Sequence, residues 1–184
     1  MGRAKANLPL PGGDTFLARI VRTFRDAGIE EIVVVVGHEA DAIVETFADA
    51  NLAARFVHNP EYDSGQLSSL LAGLRVIDRP GVSATLLTLV DVPLVSAGTV
   101  EAVVGRYLET HAPVVRPVRG AEHGHPVLID RSLFSAIRLA DPAVGAKALV
   151  RAHASMLGDV AVDDGGAFRD VDTAADYERL FERQ

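Results

Sequence analysis

An aspartate closing an apolar run is the residue of this chain best placed to do chemistry. In Ala84-Thr-Leu-Leu-Thr-Leu-Val-Asp-Val-Pro93, the β-branched and aliphatic residues of 84–90 predict a strand buried on both faces, bounded by Gly81 and Pro93. Open α/β sheets hold ligands outside the carboxyl ends of their strands, so this reading delivers Asp91 to a substrate cleft. An unpaired acid at the mouth of an apolar strand is costly, and a divalent cation, which prefers hard oxygen ligands, would offset that cost. An aspartate at this place serves equally as a turn or capping residue for the helix that follows.

The absence of cysteine removes disulfides, thiolate zinc sites and cysteine nucleophiles together. No two histidines stand at helix-compatible spacing near an acid, so no zinc site is expected. His38, His58, His111 and His153 read as ordinary surface or core residues, and Glu122-His123 as a turn. The net charge of −7 disfavours a nucleic-acid partner, whose phosphates require a concentrated basic face, and the lack of tryptophan argues against base-stacking platforms. A small anion held by a few residues remains compatible with that charge. No apolar run is long enough to cross a bilayer, and Met1-Gly-Arg-Ala-Lys-Ala lacks the apolar core of a secretory signal. No membrane partner and a cytoplasmic location are therefore expected.

The elements that must position Asp91 follow from periodicity. The 184 residues suit one domain with a substantial core. Helical patterns cover 15–27, stopped by Gly28, and 40–50, 66–77, 97–110, 132–139, 144–153 and 174–181. Strand patterns cover 31–36, 54–57, 84–90, 113–117, 127–129 and 159–162, with a turn-rich segment at 59–65 and a loop at 163–166. Such alternation predicts a three-layer, Rossmann-like fold with a mostly parallel sheet and helices on both faces.

Six short blocks then fall into register with one family. They are Met1-Gly-Arg-Ala-Lys5 followed by Leu8-Pro-Leu-Pro-Gly-Gly; Asn59, Tyr62, Gly65 and Ser69 leading to Gly73-Leu74; Asp91-Val-Pro93; Gly124-His-Pro126; Gly145-Ala-Lys147; and Asp170-Val-Asp-Thr173 with Asp176-Tyr177. From Gly2 to Tyr177 the chain resembles a MobA-like nucleotidyltransferase of nucleotide-diphospho-sugar transferase-like fold, most similar to the molybdenum cofactor cytidylyltransferase branch. The resemblance implies transfer of CMP from CTP to a molybdopterin acceptor with release of pyrophosphate. It implies Mg²⁺ held by Asp91 and Asp172, and Lys5 on the phosphates, so that positive charge meets the charge developing in the transition state. Asp172 could instead belong to the N-cap region of the helix it precedes. Gly65, Gln66, Ser68 and Ser69 would offer amides and hydroxyls to the nucleotide at a helix start, or simply cap that helix. Gly124, His125 and Pro126 would line the acceptor side.

Members of the family open with a strand and a glycine-rich loop ahead of the Met-Gly dipeptide, so the resemblance also implies a missing central strand, roughly 10–15 residues, and weakened turnover without it. Two alternatives share most of these residues. One uses GTP or another phosphorylated acceptor on the same fold. The other is a non-catalytic module that holds the cofactor and delivers it to a molybdoenzyme.

Overall fold

The computed structural model describes residues 4–143 and 145–182. The front of the first block, Met1-Gly2-Arg3, and Val144, expected to begin a helix, lie outside the described residues.

Helix α1 (Phe16–Asp26) forms where Thr15 accepts a hydrogen bond from the Ala18 amide, and its apolar face of Phe16, Leu17, Ile20, Val21 and Phe24 is buried. Gly28, at φ 80°, then turns the chain out of the helix. Strand β1 (Val33–Val36), helix α2 (Ala40–Ala48) and strand β2 (Arg55–His58) make a strand–helix–strand crossover unit, and the two strands pair in parallel from Val33↔Arg55 to Val36↔His58. Helix α3 (Gln66–Ile77) leads to strand β3 (Ala84–Leu87), and helix α4 (Ala97–Thr110) to strand β4 (Val114–Arg119). Strands β5 (Glu122–His123) and β6 (Val127–Asp130), helices α5 (Phe134–Arg138) and α6 (Gly145–His153), strand β7 (Asp159–Ala161) and helix α7 (Ala174–Glu178) complete the order.

The second sheet runs β3-β6-β4-β5, with β7 joined to β4. Alternation along the strands sends Val114, Val127 and Ile129 toward α3 and α5, and Val115 and Leu128 toward α4, giving helix, sheet and helix layers. The mostly parallel sheet expected from strand–helix alternation is corrected to a mixed one. Strand β6 is antiparallel to both β3 and β4, and among the described residues only β1·β2 and β4·β7 are parallel strand pairs. The cause is the connection at 120–126, too short for the crossover that parallel pairing requires. Within it Gly120, at φ 60°, turns the chain so that Glu122–His123, read as a turn, pairs back on β4 as strand β5.

Strand β3 also stops at Leu87 rather than residue 90, because its partner β6 begins opposite, at Val127, immediately after Pro126. Its four residues are half-buried rather than buried on both faces as expected. Among the described residues β1 and β3 are each paired along one edge only. The same helices nonetheless cover both. Helix α1 sets Leu17 and Val21 against Val36, and Ile20 and Phe24 against Leu86; helix α3 packs Gly73 near Val35, and Leu70 and Leu74 in the cluster that holds Leu87. No helix among the described residues is long and apolar enough to cross a membrane.

Candidate active site

Asp91 sits in the turn beyond β3, between Val90 and the fully buried Val92. It does not cap α4; Ser96 does, accepting from the Thr99 amide. The Asp91 carbonyl accepts a 2.7 Å hydrogen bond from the Val171 amide, and Val171 is itself fully buried with Leu8, Leu10 and Phe16. That single buried residue pins an otherwise exposed segment beside Asp91, with Asp170 and Asp172 projecting outward on either side of it. Asp172 is not occupied with capping either. Thr173 caps α7 in a reciprocal box with Asp176, leaving the Asp172 carboxylate available.

Lys5 completes the cluster from the far end of the chain. It lies in a 3₁₀ turn over Lys5–Asn7, held because the buried Asn7 donates its side-chain amide to the Ala42 carbonyl and Ala6 packs against α1 and β1. Its Nζ stands 2.6 Å from Asp172 Oδ1 and 3.8 Å from Asp91 Oδ2, so one ammonium group spans two carboxylates distant in sequence. Burial pushes the Asp91 carboxyl above its ordinary range; Lys5 pulls it down, while Asp170 and Asp172 push it further up. Asp91 Oδ1 is buried without a hydrogen-bond partner among the described residues.

An acceptor-only oxygen left orphaned beside two more acids fits a divalent cation. No three His, Cys, Asp or Glu side chains converge tightly enough to hold an ion unaided among the described residues. That suits magnesium-type binding, in which one or two carboxylates are completed by substrate phosphates and water.

Gly124-His125-Pro126 reaches the same place from the second sheet. Pairing of Val127 with Leu87 carries the residues before β6 past the carboxyl end of β3. The His125 amide donates to the Ala167 carbonyl at 2.8 Å, and its ring Nδ1 lies 3.5 Å from the Leu87 carbonyl oxygen. Burial lowers the imidazole pKa, with a smaller push from Lys147 and against the pull of Leu87, Asp170 and Asp91, so the site favours the neutral ring. A Cβ on Gly124 would meet the Ala167 carbonyl oxygen at 2.3 Å, which is why the close approach needs glycine. Asp170, which acts on both Asp91 and His125, was not singled out from the sequence; its Asp-x-Asp spacing about a buried valine was the available signal.

The residues at 65–69 form a separate group. Gly65 (φ 96°) and Gln66 are exposed at the start of α3. The Ser68 hydroxyl donates within its own turn, to the carbonyls of Glu61 and Gly65, and the side-chain amide of the buried Asn59 donates to both Ser68 and Ser69. Asn59 thus ties the 59–65 turn to α3, and no ion pair or hydrogen bond joins this group to Lys5, Asp91 or Asp172 among the described residues. A cleft of about 550 Å³ opens at the carboxyl ends of β1 and β2, lined by Gly37, Glu39, Ala40, Asp41, Ala42 and His58. It adjoins the carbonyl that holds Asn7 but does not include the carboxylates.

Comparisons with known proteins bear on this arrangement. A probable molybdenum cofactor guanylyltransferase of Mycobacterium ulcerans is 25% identical over 180 residues, covering 96% of this chain and 84% of that protein. A bifunctional IPC transferase and DIPP synthase of Rubrobacter xylanophilus is 43% identical over 77 residues, covering 41% of this chain and 17% of that protein. The crystal structure of Rv0371c in complex with manganese, from Mycobacterium tuberculosis, superposes with a TM-score of 0.76 at 28% identity, covering 98% of this chain and 93% of that one. The molybdenum-cofactor relative is thus a guanylyltransferase, and the expected preference for CTP finds no support there. Leu8 and Leu10 of the Leu-Pro-Leu-Pro segment are buried with Phe16 and Val171. Residues 1–156 match the MobA-like NTP transferase domain, and the chain belongs to that nucleotidyltransferase family.

Proposed function

We propose that this protein transfers a nucleotidyl group from a nucleoside triphosphate, GTP in preference to CTP, to the phosphate of a molybdopterin-type acceptor. The observation that carries the reading is the convergence of Lys5, Asp91 and Asp172 from the start, middle and end of the chain. In the reaction an acceptor phosphate oxygen bonds to the α-phosphorus, the bond to the β-phosphate oxygen breaks, and pyrophosphate leaves. Asp91 and Asp172 would hold Mg²⁺ or Mn²⁺, which when bound neutralises phosphate charge and polarises the α-phosphoryl group. Lys5 provides a point positive charge for the β- and γ-phosphates and the departing pyrophosphate. His125 lies on the acceptor side in this reading, where a neutral imidazole can donate or accept one hydrogen bond to the acceptor without adding charge. The cleft by Gly37 and His58 has room for a base. The preference for GTP rests on likeness to the probable molybdenum cofactor guanylyltransferase of Mycobacterium ulcerans, and the divalent ion on the manganese complex of Rv0371c.

Pyrophosphate release should be measured with molybdopterin cofactor, Mg²⁺ or Mn²⁺, and GTP, CTP or ATP in turn. Release with GTP is expected, and Asp91→Asn should lower it by about 100-fold or more. Faster release with CTP reverses the nucleotide assignment, and no acceptor-dependent release with any triphosphate leaves the holding-and-delivery alternative.

A further inference from the structure

The position of Lys5 contains more than a phosphate contact. Its ammonium stands between Asp91 and Asp172, the place a shared divalent ion would take, at hydrogen-bonding distance from one carboxylate and ion-pairing distance from the other. Held there, the ammonium already has its charge matched by two carboxylates. A cation entering between the carboxylates would meet the ammonium as a like charge a few ångströms away. The lysine is replaceable in a way the carboxylates are not: Lys5 is about one-third exposed and Asp172 more than half exposed, so the ion pair lies in a solvent-screened setting where such pairs are weak. Asp91 Oδ1, by contrast, is buried with no hydrogen-bond partner among the described residues.

The geometry points to a cation exchange: in the free protein Lys5 serves as the built-in counter-ion of the Asp91–Asp172 pair, and a divalent ion displaces it, releasing its ammonium toward the triphosphate. Binding of metal and binding of phosphate are then coupled through one side chain, because each event that removes Lys5 from the carboxylates favours the other. This inference rests on the reading of Asp91 and Asp172 as metal ligands and adds to it an order of events.

The sequence makes the exchange directly observable, because Lys5 and Lys147 are its two lysines. Two measurements on the full chain test it, both at pH 8, low salt and without nucleotide. In the first, Mn²⁺ affinity is read from the electron paramagnetic resonance signal of the free ion. Lys5→Met, which keeps the stem and removes the charge, should bind Mn²⁺ at least about threefold more tightly than the parent, and Lys5→Arg should bind it as the parent does. In the second, acetylation of Lys5 and Lys147 is followed by mass spectrometry as Mg²⁺ is added; Lys5 should become more reactive while Lys147 stays constant as the internal reference. Equal or weaker Mn²⁺ binding by folded Lys5→Met, or Lys5 reactivity indifferent to Mg²⁺ at saturation, overturns the exchange and leaves the metal site standing. If Asp91→Asn and Asp172→Asn bind Mn²⁺ as tightly as the parent, the carboxylate pair is not the metal site and both readings fall.

Discussion

Asp91 and Asp164 are two half-buried acids held in opposite ways, and the difference separates function from architecture. For Asp164, burial works against the charge, but hydrogen bonds from Thr99, Ser96 and Gly166 outweigh it and hold the carboxyl below its ordinary range. This acid stabilises the fold above the unfolded carboxyl pKa, and the contribution is lost as pH falls through the depressed folded value. Asp164→Ala should cost about 2 kcal/mol by stranding donors at the start of α4, seen as a lower Tm with Mn²⁺ affinity unchanged. Asp91 has the reverse sign. Its raised pKa means the folded state holds the proton more tightly than the unfolded chain, so stability falls as pH rises from the unfolded carboxyl pKa to the folded one and the penalty is complete above the folded value. Asp91→Asn should therefore raise Tm at pH 7 in the absence of metal, with the gain shrinking toward pH 4 as the parent carboxyl becomes protonated in both states. Added Mn²⁺ should raise the Tm of the parent and leave that of the variant unmoved. A variant less stable than the metal-free parent at pH 7 would show that Asp91 is a structural acid after all.

At the scale of elements, the site depends on a strap whose only deep anchor is Val171. The Val171 side chain fills the cluster of Leu8, Leu10 and Phe16 while its amide reaches the Asp91 carbonyl. Val171→Ala should cost about 1–3 kcal/mol and also weaken Mn²⁺ binding, because Asp172 is fixed through that contact. Val160→Ala, in the β7 cluster away from the site, should lower Tm without the second effect. The same segment shows what a sequence can and cannot disclose. Helices α3 and α4 were legible to their end residues, since a 3.6-residue apolar period between Gly65 and Asp78, or after Ser96, admits one solution. The direction of β6 was not, because a strand reads alike in either direction and only the length of the 120–126 connection decides it. Asp91 was legible from its place at the end of an apolar run, whereas Lys5 and Asp172 needed the family resemblance. No local pattern says that residues at opposite ends of a chain meet, and their convergence is a product of the buried anchors Ala6, Asn7 and Val171.

The described residues form two sheets under shared helices, and the cluster of Lys5, Asp91 and Asp172 straddles them. Lys5 is fixed on the side of the β1·β2 pair, through Ala6 in the α1–β1 core and Asn7 on α2. Asp91 follows β3 of the second sheet, and Asp172 is strapped to it. A two-stranded sheet is a weak unit on its own, whereas β6 is hydrogen-bonded to a neighbour on each side. Amide hydrogen exchange should accordingly be slowest across Val127–Asp130 and markedly faster in Val33–Val36 and Arg55–His58, since local opening follows the least supported backbone. A ligand that engages Lys5 from one half and the two aspartates from the other joins the halves, so saturating Mg²⁺ with GTP should slow exchange in β1 and β2 more than in β6. If the two sheets exchange at one common rate and respond equally to the ligand, the domain opens as a single unit and the site does not couple its halves. Asp91→Asn provides the control that separates ligand binding from this joining, because it should leave the exchange of β1 and β2 unslowed under the same Mg²⁺ and GTP.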